Sequence, residues 1–89
     1  MNVLYDSSFL KSIEKLKNPS IKEKVLLFID DAKQAKSLQD LSSVKKIKGF
    51  KTFYRHRIGQ YRLGFEVKDS NTIILIIVAK RSDIYKRFP

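Results

Sequence analysis

Arginine side chains recur at alternate positions in one short stretch of the sequence. Arg55 and Arg57 are separated by one residue, and Arg62 follows after a Gly-Gln dipeptide and a tyrosine. Successive side chains of a β-strand point to opposite faces, so a strand over residues 53–58 places Arg55 and Arg57 on the same face. A planar guanidinium carries a fork of N–H donors that suits phosphate oxygens. The spacing therefore predicts a sheet face that holds phosphate.

A second pair of candidate residues lies near the C-terminus. Arg81 follows an apolar run, and Tyr85 comes four residues later. An aromatic ring beside a basic groove can stack on a base, so this pair points to recognition of single-stranded RNA. Simpler interpretations stay open. Arg81 could pair with a local carboxylate such as Asp83, and the Tyr85 ring could pack against the sheet while its hydroxyl stays in water.

If the chain binds RNA, its single histidine is a candidate general acid. His56 alternates with the two arginines of its stretch, so it faces the other side of the predicted strand. Tyr54 and Ile58 share that side. We therefore interpret His56 as a hydrogen-bonded structural residue, and the predicted strands show no pair of carboxylates for acid–base catalysis.

Positive charge dominates the chain and is concentrated around the arginines. The 89 residues include 19 Lys and Arg against 9 Asp and Glu, a formal net charge of +10. No acidic residue occurs between Leu41 and Phe65. Such a field implies a polyanionic partner, with an acidic membrane surface as a weaker alternative and a merely solvated basic face as the plainest one. The lysines expected to bind RNA are Lys45, Lys46, Lys48, Lys51 and Lys80.

Several classes of protein are excluded by composition. Without cysteine and with one histidine, the chain has no disulfide and a poor ligand set for zinc, so we expect no metal and no cofactor. The apolar run 73–79 is too short to cross a bilayer and no signal peptide is visible, which makes the cytoplasm the default location, with no membrane partner. A chain of this length supports one core, so we expect a single domain over residues 1–89.

Hydrophobic spacing predicts the elements that position these side chains. In chain order they are a strand over 2–5, a helix over 8–17, a helix from a capping box at 20–23 to about 36, strands over 53–58, 61–68 and 72–79, and a helix over 82–88. The second helix buries Ile21, Val25, Phe28, Ile29 and Ala32. The predicted fold class is α+β: an N-terminal strand and a helical hairpin packed on a mainly antiparallel four-stranded sheet, with a short C-terminal helix.

This order of elements and two short motifs resemble the RelE/ParE superfamily of toxins over essentially the whole chain. One motif is Gly-x-Tyr-Arg, from Gly59 to Arg62, and the other is Lys80-Arg81 followed by Tyr85. The resemblance implies the RelE-like microbial RNase fold and the toxin of a type II toxin–antitoxin pair. It further implies that the toxin enters the ribosomal A site and promotes attack of an mRNA 2′-hydroxyl on the adjacent phosphate, leaving a 2′,3′-cyclic phosphate and a 5′-hydroxyl.

The resemblance also assigns catalytic residues by motif position. They are Arg55, Arg57, Arg62, Arg81 and Tyr85. RelE-type enzymes favour lysines on the first of these strands, and arginine, which stays protonated in proteins, is a poor proton acceptor. The general base therefore stays open, with Lys51 as a possible substitute. The arginines would hold the phosphate and neutralise the transition state, and the tyrosine would stack a base or assist proton transfer.

Two other functions remain open. ParE-like members keep the same scaffold and motifs without nuclease activity and poison DNA gyrase. A nucleic-acid-binding module without activity is the third possibility. For either toxin the resemblance implies a cognate antitoxin, with a partly disordered acidic segment that shields Arg81 or Tyr85 in a hetero-oligomer. For the nuclease, the ribosome and mRNA are the further partners.

Overall fold

Alternating apolar side chains build a five-stranded sheet in the computed structural model, which describes residues 1–89. In chain order the elements are β1 (Asn2–Tyr5), α1 (Ser7–Lys15), α2 (Pro19–Gln34), a single turn of 3-10 helix (Leu38–Asp40), β2 (Val44–Lys46), β3 (Phe53–Ile58), β4 (Tyr61–Asp69), β5 (Thr72–Lys80) and α3 (Arg81–Arg87). The strand order is β1-β5-β4-β3-β2. β1 runs parallel to β5, and all other neighbours are antiparallel.

The second helix begins earlier than the sequence pattern predicts. The expected capping box at residues 20–23 is wrong, because Asn18 is the N-cap and Pro19 is the first helical residue. Proline suits that position, since its fixed φ is helical and its missing N–H would have no intrahelical partner there. No helix of the structure has both the length and the apolar character that crossing a bilayer requires.

The main core lies between the sheet and the two helices α1 and α2. Leu63 and Phe65 of β4 and Leu75 of β5 are fully buried there. Burial of side chains of this size stabilises the fold by roughly 1.5–3 kcal/mol each. The apolar face predicted for α2 is confirmed, because all five of its residues are buried: Ile21, Val25, Phe28, Ile29 and Ala32.

The sheet has five strands where the sequence predicts four. The additional strand, β2, is only three residues long and pairs with β3, so that Lys45 lies opposite Arg55. Two of its three residues are lysines, which are depleted in strands, so hydrophobic alternation could not reveal it. The fold class is confirmed as α+β with a mainly antiparallel sheet.

The C-terminal segment packs against the other face of the sheet and forms a smaller core there. Ile84 of α3 and the following Phe88 are buried in it. The Phe88 ring lies over Gly64 of β4, where an added Cβ would stand only 2.8 Å from two ring carbons. It also meets Phe53 edge-on, with ring centroids 5.5 Å apart. Gly64 therefore provides the close approach that docks α3 on the face carrying the arginines.

Candidate nucleic-acid interface

The β3–β4 turn fixes the register of the arginines. Gly59 has a φ of +57°, whereas Gln60 has no positive φ, the pattern of a type II′ hairpin turn. Across this hairpin Arg57 lies directly opposite Arg62. The Arg57 N–H donates to the Ser43 carbonyl, 3.0 Å away on the β2 side. Arg57 and Arg62 therefore form a non-hydrogen-bonded pair, the kind in which facing side chains lie closest.

The three arginines of this hairpin share the face that carries α3, as the alternation predicts. None of them forms an ion pair, because the single salt bridge of the chain joins Lys68 Nζ to Glu66 Oε1 at 3.2 Å. Glu66 also accepts a hydrogen bond from Thr52 Oγ1 at 3.1 Å. Like charges directly opposite each other destabilise a sheet unless an anion lies between them. We define Arg55, Arg57 and Arg62 as the arginine face.

Arg62 is the most enclosed member of the arginine face, with 7% of its surface exposed. Its Nη1 donates to the carbonyl oxygens of Gly59 and Tyr61, each at 2.8 Å. Its Nε is buried and has no hydrogen-bond partner. Buried donors are normally paired, so the free Nε is a group that an incoming acceptor could satisfy.

The pKa of Arg62 is affected by the charges of the other four predicted catalytic residues. Burial is the main cause that lowers the pKa of Arg62 below its usual value. The remaining contributions come from Arg55, Arg81 and Arg57, which lower the pKa, and from Tyr85, which raises it. Charge interactions weaken with distance, so each of these side chains lies close enough to act on Arg62.

Three neighbouring depressions run along the arginine face and around the end of the sheet. They are the arginine pocket (Leu41, Ser43, Val44, Lys45, Arg55, Arg57, Arg62), the middle depression (Lys46, Ile47, Lys48, Arg55, Tyr85) and the end groove (Asn18, Gln60, Tyr61, Lys80, Arg81, Ser82, Tyr85). Their volumes are about 290, 340 and 940 Å³. Arg55 is shared by the first two and Tyr85 by the last two, so together they form one continuous track.

Comparison with known proteins identifies the family. The model of the ParE toxin of the type II toxin–antitoxin system parDE matches residues 3–85. Toxin RelE3 of Methanocaldococcus jannaschii is 39% identical over 90 residues, covering 100% of both chains. This chain belongs to the RelE/ParE family of type II toxins.

Solved structures of toxins share its fold. In the RelB-RelE antitoxin–toxin complex from Methanococcus jannaschii, the matching chain is 36% identical and superposes with a TM-score of 0.81, over 97% of this chain and 99% of that one. A chain of the archaeal RelE-RelB complex from Pyrococcus horikoshii superposes with a TM-score of 0.70 over 90% and 93% of the two chains. At 22% identity, this second likeness shows the fold alone.

Four of the five lysines expected to bind RNA border the track in this toxin, among them Lys45, Lys48 and Lys80. Lys45 stands opposite an arginine of β3 and lines the arginine pocket. Lys48 lines the middle depression, and Lys80 lines the end groove. All three are exposed, and none is paired with a carboxylate.

The other two lysines differ in position: Lys46 borders the track from the opposite face of its strand, and Lys51 lies outside the track. Lys46 borders the middle depression but stands opposite Tyr54, whose ring packs on the helical side of the sheet, so the pleat directs Lys46 away from the arginine face. Lys51 is exposed in the loop before β3, four residues before Arg55, a span of roughly 13 Å in extended chain. The structure does not bring Lys51 to the arginine pocket.

The histidine of the toxin lies on the helical side of the sheet, as its phase predicts. The His56 ring stacks on Phe28 of α2, with centroids 4.3 Å apart and an interplanar angle of 27°. Its Nδ1 is 3.0 Å from the Ser42 carbonyl oxygen, so Nδ1 carries the donated proton. Burial lowers the pKa of His56 below its usual 6.5, partly offset by hydrogen bonds to backbone groups and by the charge of Asp31. The imidazole is a structural group outside the track.

Residues that the sequence analysis did not name as candidate site residues complete the end groove of the toxin. They are Asn18, Gln60, Tyr61 and Ser82. Each also has a local structural role, such as helix capping for Asn18 and turn formation for Gln60. Because that role already accounts for the residue type, the sequence alone does not mark these residues as part of a groove. No three His, Asp or Glu side chains come together in a way that could hold a metal ion.

Proposed function

We propose that this toxin is a ribosome-dependent endoribonuclease that cleaves mRNA and so inhibits translation. The observation that carries the proposal is the Arg57–Arg62 pair, two like charges set face to face with no carboxylate as counterion. A phosphate between them turns the repulsion into attraction. The kinship with Toxin RelE3 and with the chain of the RelB-RelE complex supports the same assignment.

The proposed reaction is an internal transfer at one phosphodiester. The 2′-oxygen of the ribose forms a bond to phosphorus, and the bond between phosphorus and the 5′-oxygen of the next nucleotide breaks. The 2′-hydroxyl loses its proton and the departing 5′-oxygen gains one, which leaves a 2′,3′-cyclic phosphate and a 5′-hydroxyl. The phosphoryl group carries more negative charge in the transition state than in the substrate. Guanidinium groups that hold it therefore lower the barrier.

The track supplies charge and orientation rather than a tuned acid and base. No histidine and no carboxylate lines any of its three depressions. We propose that Arg57 and Arg62 bind the scissile phosphate and that the ribosome presents the RNA so that the 2′-oxygen attacks in line. Holding reacting groups in this way and neutralising the developing charge are both large effects in catalysis.

The C-terminal segment completes the proposed site. The Arg81 N–H donates to the Gln60 carbonyl at 2.8 Å, which ties the start of α3 to the β3–β4 turn. Tyr85, one turn further on, is 55% exposed and lies between the middle depression and the end groove. We propose that Arg81 binds a phosphate and that the Tyr85 ring stacks on a base.

A cognate antitoxin is the second proposed partner. The similar structure from Methanococcus jannaschii is a RelB-RelE antitoxin–toxin complex. With a net charge of +10, this toxin fits an acidic antitoxin segment that covers the track and shields Arg81 or Tyr85. We propose that the two form a hetero-oligomer in the cytoplasm, where ribosomes and mRNA are found.

Gyrase poisoning is a second candidate function, and one observation favours it. The family model that matches residues 3–85 is that of the ParE toxin. On this alternative the track would serve binding alone, and RNA would stay intact in the presence of the toxin.

Purified components separate the two candidates. We would incubate the toxin with programmed ribosomes carrying mRNA in the A site, and with the same mRNA containing 2′-deoxynucleotides there. We expect cleavage that needs both the ribosome and the 2′-hydroxyl.

Arg57→Gln and Arg62→Gln should slow this cleavage by about 100-fold or more, the scale seen when one charge-stabilising donor is removed. Lys24→Gln, the same loss of charge on exposed α2, should cleave like the wild type. Intact mRNA, together with loss of gyrase supercoiling, would establish the alternative.

A further inference from the structure

The end groove differs in chemistry from the rest of the track. It lies where the link between α1 and α2, the β3–β4 turn and the start of α3 meet. Its volume of about 940 Å³ is in the range of about 300–1,000 Å³ typical of sites for small organic groups. Besides Lys80 and Arg81 it presents two side-chain amides and two tyrosine rings, and no carboxylate. It therefore offers hydrogen bonding and stacking as well as charge.

The two amides are held in different ways. Asn18 Oδ1 accepts the Ile21 N–H at 3.2 Å as the cap of α2, which leaves its Nδ2 free to donate. The Gln60 carbonyl accepts the Arg81 N–H, whereas the Gln60 side chain forms no hydrogen bond within the chain. The groove thus presents one donor of fixed position and one free amide that can both donate and accept.

Of the two tyrosines, Tyr85 offers an exposed ring for stacking, whereas Tyr61 is partly buried and packs against the main core. Neither Tyr61 nor Tyr85 packs against another aromatic ring of the chain, although six such ring pairs exist elsewhere in it. Tyr85 is 55% exposed. Stacking of a base on an aromatic side chain is worth about 1–3 kcal/mol and does not itself distinguish the bases. Strong selectivity between bases in this groove therefore depends on the amides.

We infer that the end groove binds one adenine base of the RNA and that Asn18 and Gln60 determine this selectivity. The inference rests on the proposed function and extends it to a named base. A side-chain amide forms two hydrogen bonds with adenine, donating to N7 and accepting from the N6 amino group. Gln60 supplies this pair, and Asn18 Nδ2 donates to a further ring nitrogen. Lys80 and Arg81 bind the flanking phosphates.

Binding of short RNA analogues tests this inference without requiring cleavage. We would measure, by fluorescence anisotropy, the affinities of the toxin for 2′-O-methyl hexamers of adenosine and of uridine, in which the nucleophile is blocked. The wild type should prefer the adenosine hexamer by about fivefold or more. Gln60→Ala and Asn18→Ser should bring that ratio close to one. Serine still caps the helix, so Asn18→Ser removes the amide and keeps the fold.

The control is Gln34→Ala, which removes an exposed amide at the end of α2 and should keep the adenosine preference. Equal affinity of the wild type for both hexamers would overturn the inference, and so would an unchanged ratio in the two groove variants. If these variants instead weaken only the complex with the antitoxin, the groove is a protein contact and the inference fails. Loss of the ribosomal cleavage activity alone would count against the proposed function and leave the adenosine preference standing.

Discussion

Arg57 and Arg62 face each other across the β3–β4 hairpin, and no carboxylate stands within ion-pairing distance of either side chain. Arg57 is exposed, whereas Arg62 is buried in a sheet whose other buried side chains are apolar. Removing a charge from water is costly, and a like charge beside it adds to the cost. The fold tolerates this arrangement without a protein counterion, which is why we associate it with binding of an external anion.

Arg62→Met should make the toxin more stable and inactive at once. Methionine has a similar length and no charge, so it removes both the desolvation cost and the repulsion from the neighbouring arginines. We expect a gain of about 1 kcal/mol, equivalent to about 4–8 °C in Tm for a domain of this size. Thermal unfolding of the two proteins at matched salt measures this. A lower Tm would mean that the hydrogen bonds from Arg62 to Gly59 and Tyr61 outweigh the cost of its charge.

Pyrophosphate should stabilise the wild-type toxin by occupying the arginine pocket. A ligand that binds only the folded state adds about 2.7 kcal/mol of stability at 100 times its Kd. We expect the Tm to rise with pyrophosphate concentration at constant ionic strength, and the rise to be largely lost in Arg57→Gln. Lys24→Gln on α2 controls for net charge and should respond like the wild type. Equal responses of all three proteins would show general screening instead of a site.

The placement of the arginines could be predicted from the sequence because it depends on local geometry. A period of two along β3 separates Arg55 and Arg57 from His56, and the Gly59-Gln60 turn fixes which residues face each other. Both properties belong to a few consecutive residues. Neither property depends on contacts with distant parts of the chain.

Features that join distant segments could not be predicted in this way. The end groove brings together Asn18, Gln60 and Arg81, which are far apart in the sequence and serve as cap, turn and helix start. The strand β2 carries two lysines and exists because β3 offers it an edge to pair with. Both the end groove and β2 depend on tertiary contacts, and neither feature produces a periodic pattern along the sequence.

Gly64→Ala should loosen the C-terminal segment and lower activity indirectly. The new methyl group would meet the Phe88 ring at 2.8 Å, and the ring is buried, so Phe88 must move. We expect a loss of stability of about 1–3 kcal/mol, the usual cost of overpacking. In a Phe88→Leu background the same substitution should cost less, because the smaller side chain leaves room for the methyl group. Urea unfolding of the four proteins gives the coupling, and simple additivity would contradict the contact.

His56 should make stability depend on pH just below neutrality. Burial lowers its folded-state pKa below 6.5, so the unfolded chain binds the proton more readily. The stability that the neutral ring contributes is therefore fully present above about pH 6.5 and is lost as the pH falls from there towards the lower folded-state pKa. Urea unfolding at about pH 7.5 and about pH 5.5 should show this decline. His56→Asn, which keeps a side-chain N–H donor, should show a smaller decline. An equal decline would assign the effect to other groups.

The proposed cleavage of translated mRNA, in which the arginine face binds the phosphate, is tested most directly by inducing the toxin in cells and mapping mRNA 5′ ends across the transcriptome. For the wild type and for Lys24→Ala we predict new ends within translated codons. For Arg62→Ala and Arg81→Ala, at equal levels of folded protein, we predict almost none. Growth arrest with intact mRNA and an induced DNA-damage response would contradict the nuclease and establish gyrase as the target.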